Sequence, residues 1–128
     1  MEPNGRGAAG TDAISLTARL AELPRHWAPS TVATVNDYEV RLARVRGEFV
    51  RHQHPDTDEF FLVLSGELIL QLDDEPVVLQ PGDLYVVPAG AYHRPVAHVE
   101  TSVLLFERSS QVDRGHEHRM LAGRRTMH

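Results

Sequence analysis

Apolar positions along this chain fall into two regimes. From Ile14 to Leu23 they recur at Ile14, Leu16, Leu20 and Leu23, a helical stripe that Pro24 ends. Trp27 follows in a connecting loop between Pro24 and Pro29. From Thr31 onward the runs become short and are punctuated by turn residues. Thr31–Val35 and Tyr38–Val45 flank Asn36-Asp37, a hairpin signal. Gly47 breaks the second run and Glu48–Gln53 resumes it. Phe60–Leu64 ends at Ser65-Gly66, Glu67–Leu72 at Asp73-Asp74, Val77–Leu79 at Pro81-Gly82, and Leu84–Val87 at Pro88-Ala89-Gly90. Arg94–Val96 and Thr101–Phe106 complete the series. Eight or nine short strands, one about every ten residues and with almost no helix, predict an antiparallel sandwich or small barrel.

The bulk properties narrow the chemistry. A chain of 128 residues fits one domain. We expect a disordered N-terminal tail over 1–13, a folded domain over 14–112 and a flexible C-terminal tail over 113–128. The net charge of −5 argues against a nucleic-acid partner. No apolar run is long enough to span a bilayer and the opening residues carry no secretory signal, so a cytoplasmic protein without membrane contact is expected. There is no cysteine, which excludes thiolate metal sites and thiol nucleophiles. All 13 basic residues are arginine, which excludes Schiff-base chemistry and a lysine base.

The chemistry concentrates in RHQHPDTDEF, residues 51–60. On a strand, His52 and His54 would share a face, about 6–7 Å apart along the backbone, close enough to converge on one ion. Pro55 ends that strand, and Glu59 opens the next one and returns a carboxylate to the same end of the sheet. Alone, a histidine pair at this spacing is as well explained by solvated surface residues. Gly66 follows seven residues after Glu59. After 15 further residues comes GDLYVVPAGAYH, in which turns at Gly82 and at Pro88-Ala89-Gly90 bracket a strand and lead to His93.

These spacings resemble the two motifs of the cupin superfamily. Residues 47–66, GEFVRHQHPDTDEFFLVLSG, are similar to the first motif, and residues 82–97 to the second. The likeness is strongest to small single-domain bacterial cupins of the mannose-6-phosphate isomerase-like kind. It implies an all-β cupin jelly-roll barrel (a double-stranded β-helix) with a short N-terminal helical segment. It implies that His52, His54, Glu59 and His93 bind one divalent transition metal, such as Fe, Mn, Zn, Ni, Co or Cu. Three imidazoles and a carboxylate suit such an ion and leave one or two positions for water or substrate. Two departures are visible: four residues rather than five separate Gly47 from His52, and Ala97 stands at the usual asparagine position. Asp58 is an alternative carboxylate, although strand alternation places Glu59 with Phe61 and Val63.

The function expected is a metal-dependent enzyme acting by Lewis-acid or oxygen chemistry on a small polar molecule, for instance in sugar or natural-product metabolism. The alternative is a non-catalytic cupin that binds or senses a metal or small ligand. Arg41 shares parity with Ala43 and Val45 and could hold a substrate carboxylate or phosphate from inside the barrel, or be a solvated edge residue. Tyr85 and Tyr92 offer hydroxyls to a pocket, or simply pack. His116 and His118 form a second pair in the expected C-terminal tail and read as solvated, while His26 and His98 have no constellation. Phe60, Leu62 and Leu64 point opposite to Glu59, Phe61 and Val63, so this strand needs cover on both faces. A homodimer is expected to provide it.

Overall fold

The computed structural model describes residues 12–109 of the chain. One short helix precedes seven strands: α1 (Leu16–Ala21), β1 (Ser30–Val35), β2 (Tyr38–Glu48), β3 (Glu59–Ser65), β4 (Leu68–Leu72), β5 (Val77–Leu79), β6 (Leu84–Val87) and β7 (His93–Arg108). Ser15 caps α1, its hydroxyl accepting from the Ala18 amide at 3.1 Å, one of the helix donors with no partner inside the helix. Asn36 adopts the left-handed conformation (φ 55°) that the two-residue turn between β1 and β2 requires. Among the described residues no helix is long and apolar enough to cross a membrane. The expected C-terminal tail, with His116 and His118, and all but Asp12 and Ala13 of the N-terminal one lie outside the described residues.

All strand pairing is antiparallel, in the order β1-β2-β7-β3-β6, with β4 joined to β7 and β5 at its edge. The structure merges the two final strands expected from the sequence into the single 16-residue β7. No glycine interrupts that stretch. The chain keeps its direction and exchanges partners instead: His93–Val96 pairs with β4, and Ser102–Phe106 pairs with β3. This exchange folds the sheet over on itself. Leu68 and Leu70 of β4 thereby meet Ala43, Val45, Phe61, Val63, Val103 and Leu105 in one core.

A second expectation is also corrected. Gly47 does not end β2. It takes φ 94° at a bulge, where the register with β7 jumps from Val45↔Thr101 to Gly47↔Ala97. The strand expected over Glu48–Gln53 is absent beyond Glu48. In its place an extended segment runs beside β7, tied by Phe49 N to Pro95 O (3.0 Å) and by an isolated bridge between His52 and His93. Trp27 closes the barrel on this side. Its positive φ (63°) is held by bonds from its amide to Arg44 O and from Nε1 to Arg46 O, both 2.9 Å, and its ring stacks on Phe49.

Candidate metal centre

Four side chains converge where the 49–54 segment, β3 and β7 meet. His52 and His93 exchange both backbone hydrogen bonds, at 2.9 and 2.8 Å, so their side chains share a face and their ring centroids lie 4.3 Å apart. His54 sits in the loop beyond, where its carbonyl accepts from Gly90 N at 2.8 Å. Its alignment with His52, at 5.2 Å between centroids, comes from this loop and not from strand alternation. Glu59 opens β3 on the interior face it shares with Phe61 and Val63, all three buried.

The three histidine Nε2 atoms face one carboxylate oxygen. Glu59 Oε1 is 2.7 Å from His93, 3.2 Å from His54 and 3.9 Å from His52. One ligand atom from each residue lies within 4.8 Å of all the others. A first-row ion held about 2.0–2.2 Å from each donor needs donors roughly 3–4 Å apart, and the observed spacings bracket that range. Nδ1 of His52 faces Val50 O and Nδ1 of His93 faces Ala91 O, each at 3.0 Å. A carbonyl can only accept, so Nδ1 carries the proton and Nε2 is the nitrogen turned to the cluster. Between His93 Nε2 and Glu59 Oε1 a 2.7 Å approach then requires a shared cation, either a proton or a metal ion. The donor set and its orientation fit a divalent transition metal.

The electrostatics follow from burial. Desolvation lowers His52 to a pKa of about 4, against the pull of Glu59, so its ring is neutral and able to ligate. His54 is raised, first by its hydrogen bond to Glu59, which outweighs its own burial. Burial would push Glu59 up, but the bonds to His54 and His93 prevail and hold it far below the usual carboxylate range.

Asp58 is not in the cluster. Its carboxylate accepts from Ala89 N at 2.9 Å and ties two loops together. Arg41 lies on the interior face and is buried. It donates through Nε to Thr31 Oγ1 (3.1 Å) and through Nη2 to Pro29 O (3.2 Å), and it lies 3.7 Å from Glu107. Tyr85 sits opposite Phe61 and packs on the core. Tyr92 is 41% exposed, with the Arg51 guanidinium 4.1 Å above its ring. His26 bonds Glu100 at 2.7 Å, and His98 is exposed.

Sequence reasoning missed Glu107. It pairs with Glu39 across β2 and β7, and the β3–β7 register, read one step past Phe60↔Phe106, sets the same row against Glu59. Desolvation, then the charge of Glu59, lifts Glu107 to about 6, with Arg41 opposing. The signal was available, because Val103, Leu105 and Glu107 share one parity and a carboxylate on an otherwise apolar interior face needs a reason.

Comparison with known proteins agrees with this geometry. The Cupin domain family matches residues 38–107. The uncharacterized protein YdbB of Bacillus subtilis is 40% identical over 94 residues, covering 73% of this chain and 83% of its own. The crystal structure of a cupin-2 domain containing protein from Shewanella frigidimarina is 37% identical, with a TM-score of 0.75, over 80% of this chain and 99% of that one. Quercetin 2,3-dioxygenase of Bacillus subtilis is 46% identical over 55 residues, which are 42% of this chain but 16% of that enzyme. With four metal-type ligands converging inside a curled antiparallel sheet and a family match over most of the folded region, the chain belongs to the cupin family.

Proposed function

We propose that this protein is a metal-dependent enzyme that carries out oxygen chemistry on a small organic molecule at His52, His54, Glu59 and His93. The observation that carries the reading is the convergence of three Nε2 atoms on Glu59 Oε1, with two of the rings oriented by carbonyls. When bound, the metal supplies a Lewis acid and, for a redox-active ion, access to dioxygen. The residues of the chain do the rest. Glu59 offers an anionic ligand that stays ionised at neutral pH, and His52 stays neutral because it is desolvated. Trp27, Phe61 and Leu105 line an apolar space beside His52 and Glu59. The stretch of likeness to quercetin 2,3-dioxygenase favours oxygen over purely Lewis-acid chemistry.

The test is elemental analysis of protein purified without a nickel column, followed by oxygen-uptake measurements with each metal restored. About one divalent ion per chain is expected. His52→Ala should lose most of it, and His98→Ala, at an exposed site, should lose none. Equal loss in both variants would overturn the metal reading. Stoichiometric metal with no oxygen uptake across a panel of phenols and hydroxy acids would leave the sensing alternative in its place.

The proposal extends to assembly. Helix α1 packs against β2. The outer positions Phe60 and Leu62 of β3 are half-buried, and Leu84 and Val86 of β6 are exposed at 55% and 42%. This apolar sheet face supports pairing with a second copy across a twofold axis.

A further inference from the structure

Beside His52 and Glu59 lies a cavity of about 30 Å³. Its origin is legible in the register. Ala43, Val103 and Val63 pair directly across β2, β7 and β3, so one interior row carries only short side chains. The longer row beside it, with Leu105 and Phe61, forms one wall, and Trp27 and Leu68 close the others. Among the described residues this space meets almost no polar partner. Trp27 turns Nε1 to Arg46 O and presents carbon. Pro29 and Pro95, both on the wall, have no amide hydrogen to give. The polar side chains that reach the cavity are His52 and Glu59, and Glu59 Oε1 is already directed at His54 and His93. A buried water needs two to four polar partners, so water is a poor occupant.

We infer that this cavity is a binding site for a diatomic-sized apolar molecule, with dioxygen the natural occupant, held on the Trp27 side of His52 and Glu59. The inference rests on the metal-centre reading for what the guest would meet there, while the cavity itself depends only on the apolar wall. Its size admits a diatomic gas or a xenon atom. Ala43 is then the residue that sets capacity, because its missing carbons are the space.

Xenon tests this without metal or turnover. Trp27 is the single tryptophan and lines the cavity, so its fluorescence reports a heavy-atom guest. Protein as purified, and the same protein treated with chelator, should both show saturable quenching under xenon pressure. Ala43→Leu should weaken xenon binding at least tenfold. Should Ala43→Leu fail to fold, Ala43→Val serves with a smaller loss, and Val103→Ala should enlarge the space and tighten binding. Quenching that rises linearly without saturation and is the same in wild type and the filled variants would overturn the inference. So would a structure under xenon with no xenon between Trp27 and Ala43. Saturable xenon binding in a chain that elemental analysis finds metal-free would retain the cavity and remove the metal centre. A metal-loaded chain with unsaturable quenching would do the reverse.

Discussion

Removing a charge from the interior should stabilise this protein. Glu107 is largely buried in a row with Glu39 and faces Glu59, and these surroundings raise it from 4.5 to about 6. A carboxyl whose folded pKa exceeds its unfolded one favours folding below the unfolded value, and that benefit is lost as pH rises through the folded value. At pH 7.5 the native state therefore holds an ionised Glu107 at a cost of about 2 kcal/mol, from a shift of 1.5 units at about 1.4 kcal/mol each. Glu107→Gln keeps the shape and an oxygen for Arg41 but has no charge to desolvate. Chelator-treated Glu107→Gln should be more stable than wild type by about 2 kcal/mol at pH 7.5. For a domain of this size that is roughly 8–16 °C in Tm.

The advantage should shrink as pH falls from 7 toward 4.5, because wild-type Glu107 then takes up its proton and becomes equivalent to glutamine. It should also shrink when metal is restored, since a divalent cation at Glu59 offsets the repulsion that raises Glu107. Melting curves of both proteins at four pH values, with and without chelator, measure all of this. A variant less stable than wild type at pH 7.5, or a difference that does not change with pH, would refute the reasoning. The first result would mean that the Glu107 carboxylate is held by Arg41 more strongly than it is repelled, and the second that its pKa is the same in the folded and unfolded chain.

Metal affinity should begin to fall already above pH 6.5. His54, raised by Glu59, is protonated before the lowered His52, and calorimetric titration from pH 8 to 5 should show proton uptake competing with metal first at His54. Chelation at pH 7.5 should lower stability by an amount set by mass action, about 2.7 kcal/mol for a metal present at 100 times its Kd, read as a fall in Tm. Gly66→Ala should cost well over 2 kcal/mol in urea unfolding. Its φ is 85°, and a Cβ there would collide with Thr101 Oγ1 and the Glu100 carbonyl, whereas Gly82→Ala, with φ 91° and open space, should cost about 1–2 kcal/mol. Leu62→Glu, charging the outer face of β3, should convert a dimer to monomer by light scattering, and an unchanged mass would exclude that face as the interface.

Turn residues made most of the fold readable. Asn36-Asp37, Ser65-Gly66 and Pro81-Gly82 each separate two strands where the sequence places them, because a turn that needs positive φ admits few residue types. Glycine misled at Gly47, where the same freedom serves a bulge inside a strand. The length of β7 was illegible for a related reason. A strand that changes partners midway carries no local mark of the exchange, since its hydrogen bonds are set by strands far away in sequence. Parity along β7 marks Glu107 as an interior carboxylate, but its approach to Glu59 lies in the register across three strands, which is not written along any one of them.

The histidine pair shows how a correct grouping can have a different cause from the one the pattern suggests. Strand alternation would align any two residues at this spacing, so it explains the pair too cheaply. In the structure the bulge at Gly47 instead turns the chain out of the β2 ladder and lays Phe49 and His52 along the start of β7. His52 is fixed by its two hydrogen bonds to His93, and His54 by the Gly90 amide that bonds its carbonyl. Two glycines at positive φ, Gly47 in a bulge and Gly90 in a turn, therefore position the two histidines of the first motif, the second of them from the other motif 36 residues away (54 to 90). This dependence explains why the shortening between Gly47 and His52 is tolerated. The bulge sets the direction of the segment, and the bridge to His93, not the count of residues from the glycine, sets where its imidazole stops.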